Sequence, residues 1–86
     1  MKTVWKYPLT GPGTIVTARK DAIPLHVSYD PGGSTCVWLE LDEAEDIATY
    51  EFIIVGTGHE VPEGAFYLGT IIQNIFVWHV YWRVLS

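Results

Sequence analysis

Hydrophobic and polar residues alternate along much of this chain with a period of two, the period of a strand that buries one face. In "AIPLHVSYD", Ile23, Leu25, Val27 and Tyr29 alternate with Pro24, His26 and Ser28. In "STCVWLELD", Thr35, Val37, Leu39 and Leu41 share one face, and Cys36, Trp38 and Glu40 the other. In "ATYEFIIVG", Tyr50, Phe52 and Ile54 oppose Thr49, Glu51 and Ile53. The C-terminal "IFVWHVYWRV" sets Phe76, Trp78, Val80, Trp82 and Val84 against Ile75, Val77, His79, Tyr81 and Arg83. These runs favour β-branched and aromatic residues, which suit a pleated, half-buried surface. Turn-forming residues separate them at Gly11-Pro12-Gly13, Asp30-Pro31-Gly32-Gly33 and Gly56–Gly64. "DEAEDIA" is too short to stand as a helix. The expectation is one all-β domain spanning residues 1–86, a small antiparallel β-sandwich or barrel-like fold of six to seven short strands. Its core should join Phe76, Trp78, Val80 and Trp82 to Val37, Leu39, Phe52 and Ile54.

Composition narrows the classes. Eighty-six residues are near the lower size for a single self-supporting core, and four tryptophans supply large apolar side chains that offset it. So aromatic a chain is expected to expose more apolar surface than a monomer keeps bare, and hence to form a homo-oligomer, most simply a two-fold dimer. The single cysteine, Cys36, excludes an internal disulfide and makes a reducing cytosol the expected compartment. No run approaches a membrane span, and "MKTVWKYPLTG" lacks the apolar stretch of a secretion signal, so no membrane association is expected. The formal charge of −5 argues against a nucleic-acid polymer as partner. The acidic "ELDEAED" run, Glu40–Asp46, reads as a solvated hairpin tip.

Candidate chemistry gathers in "VGTGHEVPEG", Val55–Gly64. A phosphate-binding loop of the dinucleotide or P-loop kind would lead into a helix, and here Pro62 and Gly64 follow instead. A metal site drawn from His26, His59, His79 and Cys36 lacks any short ligand spacing, so neither a metal nor a cofactor is expected. A nucleophilic triad lacks its parts, because Cys36 lies within a hydrophobic strand and reads as an inert small core residue. Two readings stay open. Gly56, Thr57 and Gly58 can present successive backbone N–H groups to an anion, with the Thr57 hydroxyl and the His59 ring as further donors. Alternatively, the segment is a plain turn. The outward face of the last strand also leaves two readings open: His79, Tyr81 and Arg83 mix aromatic and cationic groups as interfaces and ligand platforms do, or Ile75 and Val77 lie under a neighbouring loop while Tyr81 and Arg83 snorkel at the chain end.

The pieces "MKTVWKYPL", "CVWLELD", "VGTGHEVP", "FYLGT" and "FVWHV" occur in an order that resembles a family of short, uncharacterised phage and prophage proteins bearing a domain of unknown function. The chain departs from that family's pattern before Ile23, where "TARKDA" replaces Met-Pro-x-Gly-Ala, and it continues with Trp82–Ser86 beyond the usual ending. The resemblance implies a viral accessory protein in the host bacterial cytoplasm. Three function classes follow. The first is a non-enzymatic binder that sequesters a small anionic, nucleotide-derived ligand such as an immune second messenger. In it Gly56, Thr57, Gly58 and His59 take the phosphate, Trp38, Trp5 or Tyr81 stacks a base, and Arg83 or Lys6 neutralises charge, with His79 alongside. The second is a module that inhibits a host protein through its aromatic strand edge and acidic tip. The third is a small hydrolase using His59 or His79, for which no partner acid or base is visible.

Overall fold

β4 (Thr35–Asp42) shows how the alternation becomes a fold. Its Val37, Leu39 and Leu41 are at most 2% exposed, and the strand is paired on both sides, by β1 (Lys2–Pro8) and β3 (Ile23–Tyr29). A computed structural model, describing residues 1–86, sets this three-stranded sheet against a second sheet ordered β2-β5-β7-β6. Those strands are β2 (Gly13–Arg19), β5 (Ile47–Gly56), β6 (Phe66–Gln73) and β7 (Phe76–Val84). Every pairing is antiparallel, there is no helix, and the sheets form an open sandwich rather than a closed barrel. Between the sheets, Val37, Leu39 and Leu41 meet Val16 and Ala18 of β2, Tyr50 and Phe52 of β5, Val27, Ile71 and Val80. Packing is closest at Gly69, where an added Cβ would lie 2.8 Å from Val27 Cγ1.

The connections differ from a chain of hairpins. Only β3–β4 and β6–β7 join paired neighbours. The first is closed by Asp30, whose amide donates to the Ser34 carbonyl and whose Oδ1 accepts from the Ser34 amide. The second is turned by Asn74, at φ 56°, with Ile75 88% exposed beside it. The acidic segment is solvated, but it is not a hairpin tip: β4 and β5 lie in different sheets, and Glu43–Asp46 carries the chain between them. Residues 57–65 likewise make no hairpin. β5 and β6 both flank β7, so this segment must pass from one side of β7 to the other.

The expected core and strand faces are corrected in β7, in the turn before it, in β3 and in β4. Val80 and Phe52 are fully buried and Trp82 packs against them, but Phe76 is 52% and Val84 54% exposed and Trp78 is half-buried. The nine-residue β7 outruns the three-stranded sheet that covers its middle. Ile75 belongs to the turn rather than to the outward face. In β3 a bulge between Pro24 and His26 inserts Leu25, so Ile23 falls opposite Glu40 on the outer face instead of joining Val27 inside. Cys36 is buried, but on the side of β4 away from the core, opposite Pro8 and Ser28. Burial pushes its thiol pKa up.

Candidate functional site

The chain leaves β5 through a tight turn. The His59 amide donates to the Gly56 carbonyl at 3.1 Å, and Gly58 adopts φ 90°. A positive φ at the third position is the type II pattern and explains a glycine there. Gly56 leaves room for a neighbouring side chain. A Cβ at this position would lie 2.9 Å from His59 Nδ1 and 3.4 Å from Trp78, so the imidazole fills the space that a side chain would take. The amides of Thr57 and Gly58 have no partner within the chain, and both residues are exposed.

His79 is held from both sides. Its Nε2 lies 2.9 Å from Thr57 Oγ1, and its Nδ1 lies 3.0 Å from Thr70 Oγ1, which in turn bonds the Tyr67 phenol. The β7 register makes this possible: Thr70 is the cross-strand partner of His79 on β6, and Thr57 follows the end of β5 on the other side. Hydroxyls can donate or accept, so they fix the ring in either tautomer. A Thr57–His79 contact also has the reach of a nucleophile–base pair, but the second nitrogen meets a threonine hydroxyl, with no carboxylate to stabilise an imidazolium. The two hydroxyls hold the ring in place.

Three open depressions share His59. One of about 210 Å³ is lined by Gly56, Thr57, Gly58, His79, Tyr81 and the loop residue Val61. A second, about 470 Å³, runs from Thr57 and His59 to Phe76 and Trp78. A third, about 500 Å³, lies between Ile53–Val55 and His59–Glu63. Phe76 and Trp78 are stacked, with ring centroids 5.7 Å apart and planes 16° from parallel.

The structure therefore brings Gly56, Thr57, Gly58, His59, His79 and Tyr81 together. Arg83 shares their face, but its guanidinium is held by Glu51 at 2.7–2.8 Å and by the Glu63 carbonyl. Three other expected residues lie elsewhere. Trp38 and Lys6 are on the outer face of the three-stranded sheet, where Lys6 pairs with Asp30 at 2.8 Å and Trp38 packs near His26. Trp5 alternates with Lys6 and points to the other side of β1, opposite Leu39. The aromatic wall beside His59 is made instead by Phe76 and Trp78, which the alternation had assigned to the core. Thr70 and Tyr67 fall in the "FYLGT" piece that carries the family resemblance, but they were not among the expected site residues.

A family model described as a domain of unknown function (DUF7352) matches residues 1–85. The chain belongs to that family. No curated protein and no solved structure matches it. Within this DUF7352 domain, the turn after β5 and the His79 network bring Thr57, Thr70, Tyr67 and His79 into one hydrogen-bonded chain.

Proposed function

We propose that this protein is a non-enzymatic binder that sequesters a small anionic, nucleotide-derived ligand at the His59 end of β5, as a phage or prophage accessory protein in the bacterial host cytoplasm. The observation that carries this reading is the meeting, around one turn, of two unpartnered amides, an imidazole and a stacked aromatic pair. The Thr57 and Gly58 amides suit a phosphate oxygen, and His59 adds a donor. Phe76 and Trp78 offer a face to a base, worth about 1–3 kcal/mol per stacked base. Such local donors are needed, because the chain's net charge of −5 repels an anion elsewhere. The resemblance to phage proteins favours an immune second messenger as the ligand.

Assembly belongs to the same proposal. The outer face of the four-stranded sheet exposes Ile15, Ile47, Tyr67 and Ile72, each more than half accessible, which suits a homo-oligomer. Sedimentation giving one chain mass at all concentrations refutes that part.

Calorimetry against cyclic nucleotides and ADP-ribose derivatives tests the binding, with recovered ligand analysed after heating the protein. The expected result is intact ligand, and weaker binding by His59→Ala with the fold retained. Altered ligand makes the protein an enzyme. Absence of binding, with capture of a host protein, makes it an interaction module.

A further inference from the structure

Five Lys and Arg side chains serve this acidic chain. Four have acid partners: Lys2 with Glu40, Lys6 with Asp30, Lys20 with Asp46 and Arg83 with Glu51. Arg19, at the end of β2, has none. Its guanidinium makes one long bond, Nη1 to the Glu45 carbonyl at 3.3 Å, and its remaining donors are free. Its backbone is nonetheless fixed. The buried Tyr50 donates its phenol to the Arg19 carbonyl, and the Ala22 amide donates to the same oxygen at 3.1 Å.

Arg19 lines a depression of about 150 Å³ with Trp5, Tyr7, Leu41, Glu43 and Ile47, where β1 and β2, edge strands of opposite sheets, approach each other. Leu41 and Ile47 give it apolar surface, and Trp5 is 49% exposed. The Tyr7 phenol has no hydrogen-bond partner within the chain, and burial raises its pKa, so it stays a neutral donor. The Glu43 carboxylate has no ion-pair partner. Three polar groups thus line one small depression of mixed polar and apolar surface, each with bonding capacity to spare.

We propose that this depression is a second binding site, for a planar single-ring organic anion that carries a carboxylate for Arg19 and a hydroxyl or amino donor for Glu43. A volume of about 150 Å³ is that of a cavity that takes up benzene, which is room for one ring. Guanidinium and carboxylate match as a two-bond pair, and an indole face suits a flat ring. Glu43 repels a ligand with a second acid on its far side. The site is independent of the His59 turn, which lies beyond the other end of β5.

Heteronuclear NMR of the isotope-labelled protein, titrated with para-hydroxybenzoate, benzoate and phenol, tests this, with Trp5→Phe identifying the Trp5 indole resonance. Para-hydroxybenzoate should give saturable shifts at that indole and at the Arg19 and Ile47 amides, with a Kd of about 1 mM or tighter. Arg19→Gln should raise that Kd about tenfold or more while the rest of the spectrum is unchanged, and phenol should bind about tenfold more weakly. Glu43→Gln should weaken para-hydroxybenzoate but leave benzoate bound as well or better. Absence of saturable shifts overturns the proposal. So does an unchanged Kd in Arg19→Gln, or phenol binding as tightly as para-hydroxybenzoate.

Discussion

The two ends of β5 offer an anion opposite means of capture. They are the ends of a ten-residue strand, roughly 30 Å apart along it. At the Gly56 end the donors are backbone amides and imidazoles beside stacked aromatic rings, and the nearby guanidinium, Arg83, is already satisfied by Glu51. At the Ile47 end there are few backbone donors, but the one guanidinium without an acid partner stands beside a tryptophan and a tyrosine. In a chain with ten acids and five fixed cations, attraction for an anion depends less on where cations occur than on which remain unspent. The ion pairs decide that. Exposed pairs add little to stability, yet each removes a cation from the set available to a ligand.

Both ends hang from one core, so the largest effect should abolish the distinction. Phe52, fully buried and paired with Thr14 and Trp82, sits midway along β5. Phe52→Ala should cost about 3–5 kcal/mol in denaturant unfolding and impair both ends together. Trp78→Ala, at a half-buried ring, should cost clearly less while weakening ligand at the His59 end only. Equal costs would mean that the core extends to the tip of β7.

Glycine substitutions in the turn should separate the ends. Gly58 has φ 90°, where a Cβ is strained, so Gly58→Ala should lose about 1–2 kcal/mol and leave the Arg19 depression intact. Gly56→Ala is gentler in stability. Stiffening the unfolded chain contributes about 0.4–1 kcal/mol in its favour, which offsets part of the shift forced on the exposed His59 ring. Its mark should be a displaced His59 resonance and weakened binding at that end, with the Trp5 resonance unmoved. Movement of both would show that the ends are coupled through β5.

How far the chain could be read beforehand follows from what alternation reports. It tells which residues share a face, and β4 and β5 obey it because both are paired along most of their length. It does not tell how far the opposing sheet reaches, so Phe76 and Trp78 were assigned to the core although they overhang it. Nor can it see a bulge whose extra residue is apolar, as Leu25 is. Acidity marked Glu43–Asp46 as solvated, and glycine and proline marked residues 57–65 as a connection, but neither signal tells whether the strands on either side pair with each other, and in both cases they do not. The site was half legible. Gly56–His59 stand together in sequence, and His79 and Tyr81 share their face by register; Trp38, Lys6 and Trp5 could be excluded only by knowing to which side of which sheet each turns. Arg19 stayed hidden because no sequence rule says which cations will find acids.

The smallest effect concerns a cation spent on the other sheet. Lys6 Nζ lies 2.8 Å from Asp30 Oδ2, and that bond, aided by the Ser34 amide, holds the Asp30 carboxyl below the usual range and raises the Lys6 ammonium above its own. The signs fix the window. A carboxyl with a depressed folded pKa contributes stability that is complete above its unfolded value, near 3.9, and is lost as pH falls through the folded value. An ammonium with a raised folded pKa contributes fully below its unfolded value, near 10.4, and loses that contribution as pH rises through the folded one. Asp30→Asn should therefore be modestly less stable than the parent between about pH 4 and pH 10, with the two curves converging on either side. It also leaves Lys6 unpaired, as Arg19 is in the parent. Anion binding near Lys6 in Asp30→Asn, absent from the parent, would support the view that unspent charge decides where an anion is held. If the released lysine attracts nothing, the aromatic walls and the enclosure around Arg19 matter more than its charge.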